Sequence, residues 1–198
     1  MRPLTLDDLL PLDEYAGRRD EFFDSLNHYQ DRYRRVRVGP RLTLLFVNRQ
    51  TLWFHVQELL RIARLSEPER VQQELDVYNR LLPERGHLQA ALLIELMDQT
   101  KITQELAAWS TMGVDSLRLR LGERQIPGQL ITARPEDRCI GAARWVQFCL
   151  DAPARQLVAD FRVAAWFEVS HGDYQHKSSL LSDEVRESLL EDLASADD

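Results

Sequence analysis

Apolar residues first recur at a helical spacing. Phe22, Leu26, Tyr29 and Tyr33 stand four, three and four residues apart, which places them on one face of a helix over residues 19–36. Gly39-Pro40 then breaks the chain. A continuous apolar run at 41–47 reads as a strand, turns at Asn48-Arg49, and gives way to a second helix over 51–65. That helix sets Gln57, Glu58, Arg61 and Arg64 among Trp53, Phe54, Val56, Leu59, Leu60 and Ile62 almost all the way round. Some of its charge should therefore lie against the core.

Thr5 or Asp7 is placed to cap a short first helix, and Pro68 sits in the first turn of another that reaches Tyr78. Residues 87–96 are apolar on both alternating faces and predict a central strand. A helix is expected over 100–110. The segment Leu117-Arg118-Leu119-Arg120-Leu121 alternates strictly and predicts a half-exposed strand, with Gly122-Glu123 as the turn of a hairpin. Pro127 and Gly128 argue for an edge or a bulge in the returning strand. After a polar loop at 132–141, strands follow at 144–150 and 162–169, separated by a short helix from Pro153. Ser182 or Asp183 caps the last helix, which carries Val185, Leu189 and Leu193 on one face, and 194–198 should fray. Strict βαβ alternation is absent. The pattern predicts a single α+β domain: a mainly antiparallel mixed sheet of about five to six strands flanked by helices, with a helical segment at 1–40 packed on it.

Composition narrows the function classes. An apolar fraction of 44% and a charged fraction of 29% over 198 residues suit one globular domain. A net charge of −7 argues against general nucleic-acid binding, which depends on neutralising phosphates. Lys101 and Lys177 are the only lysines, so arginine carries nearly all positive charge. The start MRPLTLDDLL has acids where a signal peptide would be apolar, and no run is long enough to span a bilayer. Cys139 and Cys149 form no CxxC pair. These features together predict a cytoplasmic, reduced protein.

Several segments taken together resemble one bacterial family, that of domain of unknown function 3501. They are LTLLFVNRQTLWFHVQELLRI at 42–62, ELDVYNRLLP at 74–83, HLQAALLIEL at 87–96, AARWVQFCL at 142–150 and EVSHGDYQHKSSLLSDEVRESLLEDL at 168–193. Arg49, Gln57, Glu58, Arg61, Tyr78, Asn79, Pro83 and Glu95 match the family pattern. The chain departs from it at Val47 and Asn48, where an acidic pair is expected, at Ala63, where glutamate is, and at Gly172, where proline is. The family has no assigned reaction. Its members are often encoded beside a rubrerythrin-like protein and an iron–sulfur oxidoreductase, so the resemblance implies a redox or oxidative-stress setting with such a partner.

Three groups of residues invite chemistry. Gln57, Arg61 and Arg64 share a helical stripe that Glu58 flanks. Glu95 faces the same side of its strand as Leu93, where it would meet Arg61. Either a structural ion pair or an anion-binding pocket follows, with Arg49, Gln57, Glu58, Arg61 and Glu95 as ligand candidates and His171 and Tyr174 at its rim. Arg32, Arg34, Arg35, Arg37 and Arg41 form a basic run that reads as a solvated face or a dock for an acidic partner. His55 with Glu58, and His28 with Asp31, are weak metal candidates at i, i+3 spacing. No GxSxG elbow, GxGxxG loop or Walker A loop is present, so no cofactor is indicated. The leading expectation is an accessory or interaction protein in a redox setting; the alternative is an enzyme or small-anion binder built around Arg61.

Overall fold

The computed structural model describes residues 1–95, 107, 109, 111–113, 116–131 and 144–194. Its strands are β1 (Arg35–Arg37), β2 (Leu42–Phe46), β3 (His87–Ile94), β4 (Leu117–Leu121), β5 (Arg124–Ile131), β6 (Arg144–Cys149), β7 (Ala165–His171) and β8 (Tyr174–Lys177). Its α-helices are α1 (Leu12–Gly17), α2 (Arg19–Tyr33), α3 (Arg49–Ala63), α4 (Pro68–Asn79), α5 (Ala152–Ala159) and α6 (Asp183–Ala194), preceded by a single 3-10 turn at Leu6–Asp8. The helix expected over 100–110 falls, apart from Ala107 and Trp109, outside the described residues, as do the polar loop at 132–141 and residues 195–198.

The strands form one antiparallel sheet in the order β1-β2-β3-β6-β5-β4-β7-β8. The class is α+β as expected, but the sheet has eight strands where five to six were predicted. The two additional strands are the outermost, β1 and β8, three and four residues long. Strands that short show no readable period. For the same reason the helix predicted over 19–36 stops at Tyr33, and Val36 turns out to be the buried residue of β1. Pro127 and Gly128 do not mark an edge. Residues 124–127 of β5 pair with β4 and residues 128–131 pair with β6. The two residues therefore mark where an interior strand changes partner. A Cβ on Gly128 would lie 2.8 Å from the Val146 side chain, so the close approach of β6 requires glycine there.

That change of partner lets the sheet roll into a half-barrel. The Tyr174 hydroxyl on β8 donates to Val38 O at 2.8 Å and accepts from Arg41 N at 3.0 Å, on either side of the β1–β2 turn. In a flat sheet the first and eighth strands would be about 34 Å apart, seven spacings of ~4.8 Å. Phe46 on β2 and Phe167 on β7 also meet, with ring centroids 5.5 Å apart. Inside the roll lie Leu44, Phe46, Leu88, Val146, Phe148 and Phe167, joined by Val185, Leu189 and Leu193 of α6. Leu52, Val56 and Leu60 of α3 and Leu75 of α4 cover the outer face against Ala91 and Trp145.

The N-terminal segment is tied across the outer helices. Asn79 donates to Leu4 O at 2.9 Å and accepts from Leu4 N at 2.8 Å, so its amide imitates a neighbouring strand. Trp53 Nε1 donates to Asp8 O at 2.8 Å. Asp8 in turn completes a capping box with Thr5, one of the two expected caps, but the turn ends at Asp8 where a short helix through Leu12 was predicted.

Candidate functional site

Glu58 is the hub of the predicted pocket. Its carboxylate accepts from Arg61 Nε at 3.0 Å and Nη2 at 3.1 Å, from Arg19 Nε at 3.0 Å, and from the Tyr15 hydroxyl at 2.9 Å. Hydrogen bonds from Arg61, then from Arg19 and Tyr15, outweigh the effect of burial and hold Glu58 down at about 2. Burial, reinforced by Glu58, holds the Tyr15 phenol well above the ordinary phenol range. Every oxygen lone pair that could serve chemistry is thus already engaged in binding α1 and α2 to α3. Gln57 is buried beside this network and reaches Leu10 O at 3.4 Å.

Glu95 does not join it. The expected meeting with Arg61 is not formed: Arg61 pairs with Glu58, one turn earlier on the same helix. Glu95 is exposed, one residue past the end of β3, where its backbone N donates to Arg41 O at 2.7 Å and its carbonyl accepts from Arg41 Nε at 3.2 Å. His171 and Tyr174 sit near that end and not at the rim of a pocket around Arg61. His171 stacks on Trp109 with centroids 5.6 Å apart, Tyr174 meets the same indole edge-on, and Arg41 lies over it. These side chains fasten the seam of the roll.

The basic run is not one surface. Arg34 is 1% exposed and pairs through both terminal nitrogens with Asp192 of α6. Its neighbours divide differently: Arg32 and Arg37 are exposed, Arg35 pairs with Asp31 at 3.2 Å, and Arg41 turns to Glu95 and Trp109. His55 and His28 are both exposed. No group of three or more His, Cys, Asp or Glu among the described residues is arranged to hold a metal.

Arg34 instead belongs to a cleft that sequence reasoning missed. It has a volume of about 640 Å³ and lies between the N-terminal segment, the end of α2, the start of α3 and the end of α6. Tyr29 is among the residues that line it. The phenolic oxygen accepts from Arg34 Nε at 3.0 Å and from Asn48 Nδ2 at 2.8 Å. Both acceptor positions are then filled, and the hydroxyl proton has no acceptor among the described residues. Asn48 also caps α3, accepting from Thr51 N at 3.0 Å while its own N–H donates to Thr51 Oγ1 at 3.0 Å. An aspartate at this position could cap but could not donate to Tyr29, so the departure from the expected acid has a consequence here.

Arginine already occupies two of the cleft's carboxylates. Asp8 faces Arg49 at 2.6 Å and Arg2 at 2.6 Å. Burial alone would raise its carboxyl, but the bonds from Arg49, Thr5 and Arg2 hold it far below the usual range. Asp192 faces Arg34, and burial pushes it up to about 6 against that pull. What remains unsatisfied is donor capacity: the Tyr29 hydroxyl, the buried Arg49 Nε, and the first N–H groups of α3. Tyr29 was legible only as part of an apolar helical face. Asp192, one position before Leu193 on the apolar stripe of α6, was the available hint of a buried acid.

No helix among the described residues is long and apolar enough to cross a membrane. Among curated proteins, none matches the chain. A crystal structure of a novel protein of unknown function from Burkholderia pseudomallei K96243 is similar, with a TM-score of 0.86 at 26% identity, covering 97% of this chain and 100% of that one. Residues 3–193 match the family described as "Protein of unknown function (DUF3501)", and the chain belongs to that family.

Proposed function

We propose that this protein binds a small anionic molecule, carboxylate- or phosphate-bearing, in the cleft around Tyr29. The observation that carries the reading is the Tyr29 hydroxyl, which accepts from two donors and whose own proton has no acceptor among the described residues. A cleft of about 640 Å³ has the size of ordinary small-ligand sites. The N-terminus of α3 adds oriented N–H groups and a partial positive charge beside Arg49. This moves the anion-binding reading from the surroundings of Arg61, where Glu58 already satisfies the cations, to a cleft where the Tyr29 proton and Arg49 Nε have no partner among the described residues.

Calorimetric titration with sulfate and with a small carboxylate tests the reading. Removing one hydrogen bond to a charged ligand, as in Tyr29→Phe, is expected to weaken binding about tenfold; the variant also strands Arg34 Nε and Asn48 Nδ2 and so melts lower, and binding is compared well below its melting temperature. Unaltered binding in that variant would place the ligand elsewhere.

An accessory role beside a redox or iron–sulfur protein is the second reading. It is favoured by Arg37, exposed on the edge strand β1 where an acidic partner could reach it, and by Arg32 beside it, which is exposed but pairs with Glu184 at 3.7 Å. Reversing both to glutamate is expected to abolish co-purification of such a partner; retained association would remove β1 as the dock.

A further inference from the structure

We infer that anion uptake in this cleft is coupled to proton uptake at the Asp192 carboxylate. The inference rests on the anion-cleft reading and adds its regulation.

Asp192 is 4% exposed, and its carboxylate accepts from the two terminal nitrogens of Arg34. The remaining donor of that guanidinium, Nε, goes to the Tyr29 oxygen at 3.0 Å. Tyr29 lines the cleft, and its hydroxyl proton has no acceptor among the described residues. Ligand, phenol, guanidinium and carboxylate therefore form one connected chain from solvent to the buried acid. The charged and titratable groups facing Asp192 are Arg34 from the junction of α2 and β1, Tyr29 from α2, Glu191 beside it on α6, and the Met1 amine; Arg2, Asp8 and Arg49 line the far side of the cleft. Arg2 and Arg49 are engaged with Asp8.

While Asp192 is ionised it neutralises Arg34, and an entering anion meets a buried negative charge at short range. Repulsion of that kind is large where water is excluded. Protonating Asp192 removes the repulsion and leaves the charge of Arg34 to the ligand. Burial already brings the carboxyl up to about 6, within reach of ordinary pH. Linkage then runs both ways: the proton strengthens anion binding, and the anion strengthens proton binding by the same factor.

Sulfate is the probe, because its charge is constant between about pH 5 and pH 8. Titration at constant ionic strength is expected to show affinity about tenfold tighter at the lower pH. In Asp192→Asn the affinity should be the same at both. On the unaltered protein, the carbon-13 titration midpoint of the Asp192 carboxyl should rise when sulfate saturates the cleft, a readout that does not depend on the variant folding. Sulfate affinity that is flat with pH in the unaltered protein, or a pH dependence that survives in Asp192→Asn with an unmoved midpoint, would overturn the coupling while leaving the cleft reading intact. Failure of sulfate to bind at any pH would remove both.

Discussion

Glu58 and Tyr29 show opposite uses of a polar side chain next to a core. Glu58 takes hydrogen bonds from two arginines and a tyrosine, and its folded value of about 2 lies below the ordinary glutamate value of 4.5. A depressed folded value means that the stabilisation is fully present above 4.5 and is lost as the pH falls toward 2. Unfolding free energies from urea titrations of the protein and of Glu58→Gln should therefore differ by about 2 kcal/mol at neutral pH and converge in acid. A gap independent of pH would mean that the network does not act through the charge of Glu58. Helical spacing encodes the i, i+3 relation of Glu58 to Arg61, but the sequence reading set Arg61 against Glu95 and left Glu58 only flanking its stripe. The contacts that build the cleft were not legible in the sequence: Arg34 and Asp192 are 158 positions apart, and no local pattern carries such a pairing. Asn48 and Tyr29, 19 apart, belong to different elements.

Elements with strong local signals were readable nearly to their ends. The strand–helix unit of β2 and α3, the LRLRL hairpin and α6 all fall where periodicity and capping residues put them. Edge strands of three or four residues escaped, because two alternations cannot be told from a loop. Arg186 escaped as well, although it stands three and seven residues before Leu189 and Leu193 on the apolar face of α6. It is 3% exposed and donates to Leu157 O, Val158 O and Asp160 O at the end of α5, and to Val163 O just beyond. Those carbonyls have no partners within their helix, and a cation there also suits the helix dipole. Arg186→Met should lower stability by about 3 kcal/mol in chemical denaturation, since it strands several buried acceptors at once. A loss below about 0.5 kcal/mol would show that water replaces the guanidinium freely.

At the scale of the molecule, the roll of the sheet brings α6 against α2 and so places Asp192 opposite Arg34. The seam that holds the roll rests on Tyr174 and on Gly39, whose φ is +76° and where a Cβ would lie 2.5 Å from the His176 ring. Gly39→Ala should cost about 2 kcal/mol of thermal stability from backbone strain and overlap together. Gly17→Ala, with open space around it, serves as the control and should be neutral or slightly stabilising. Equal melting temperatures for the two variants would mean that the seam does not carry the roll.

The small-anion cleft is the central claim, and a sulfate titration followed by nitrogen-15 NMR tests it most directly. Shifts centred on the Trp53 indole N–H and on the backbone amides of Arg49 and Gln50, saturating together, are the expected result. Shifts centred on Tyr15, Glu58 and Arg61, or no saturating shifts at all, would contradict it.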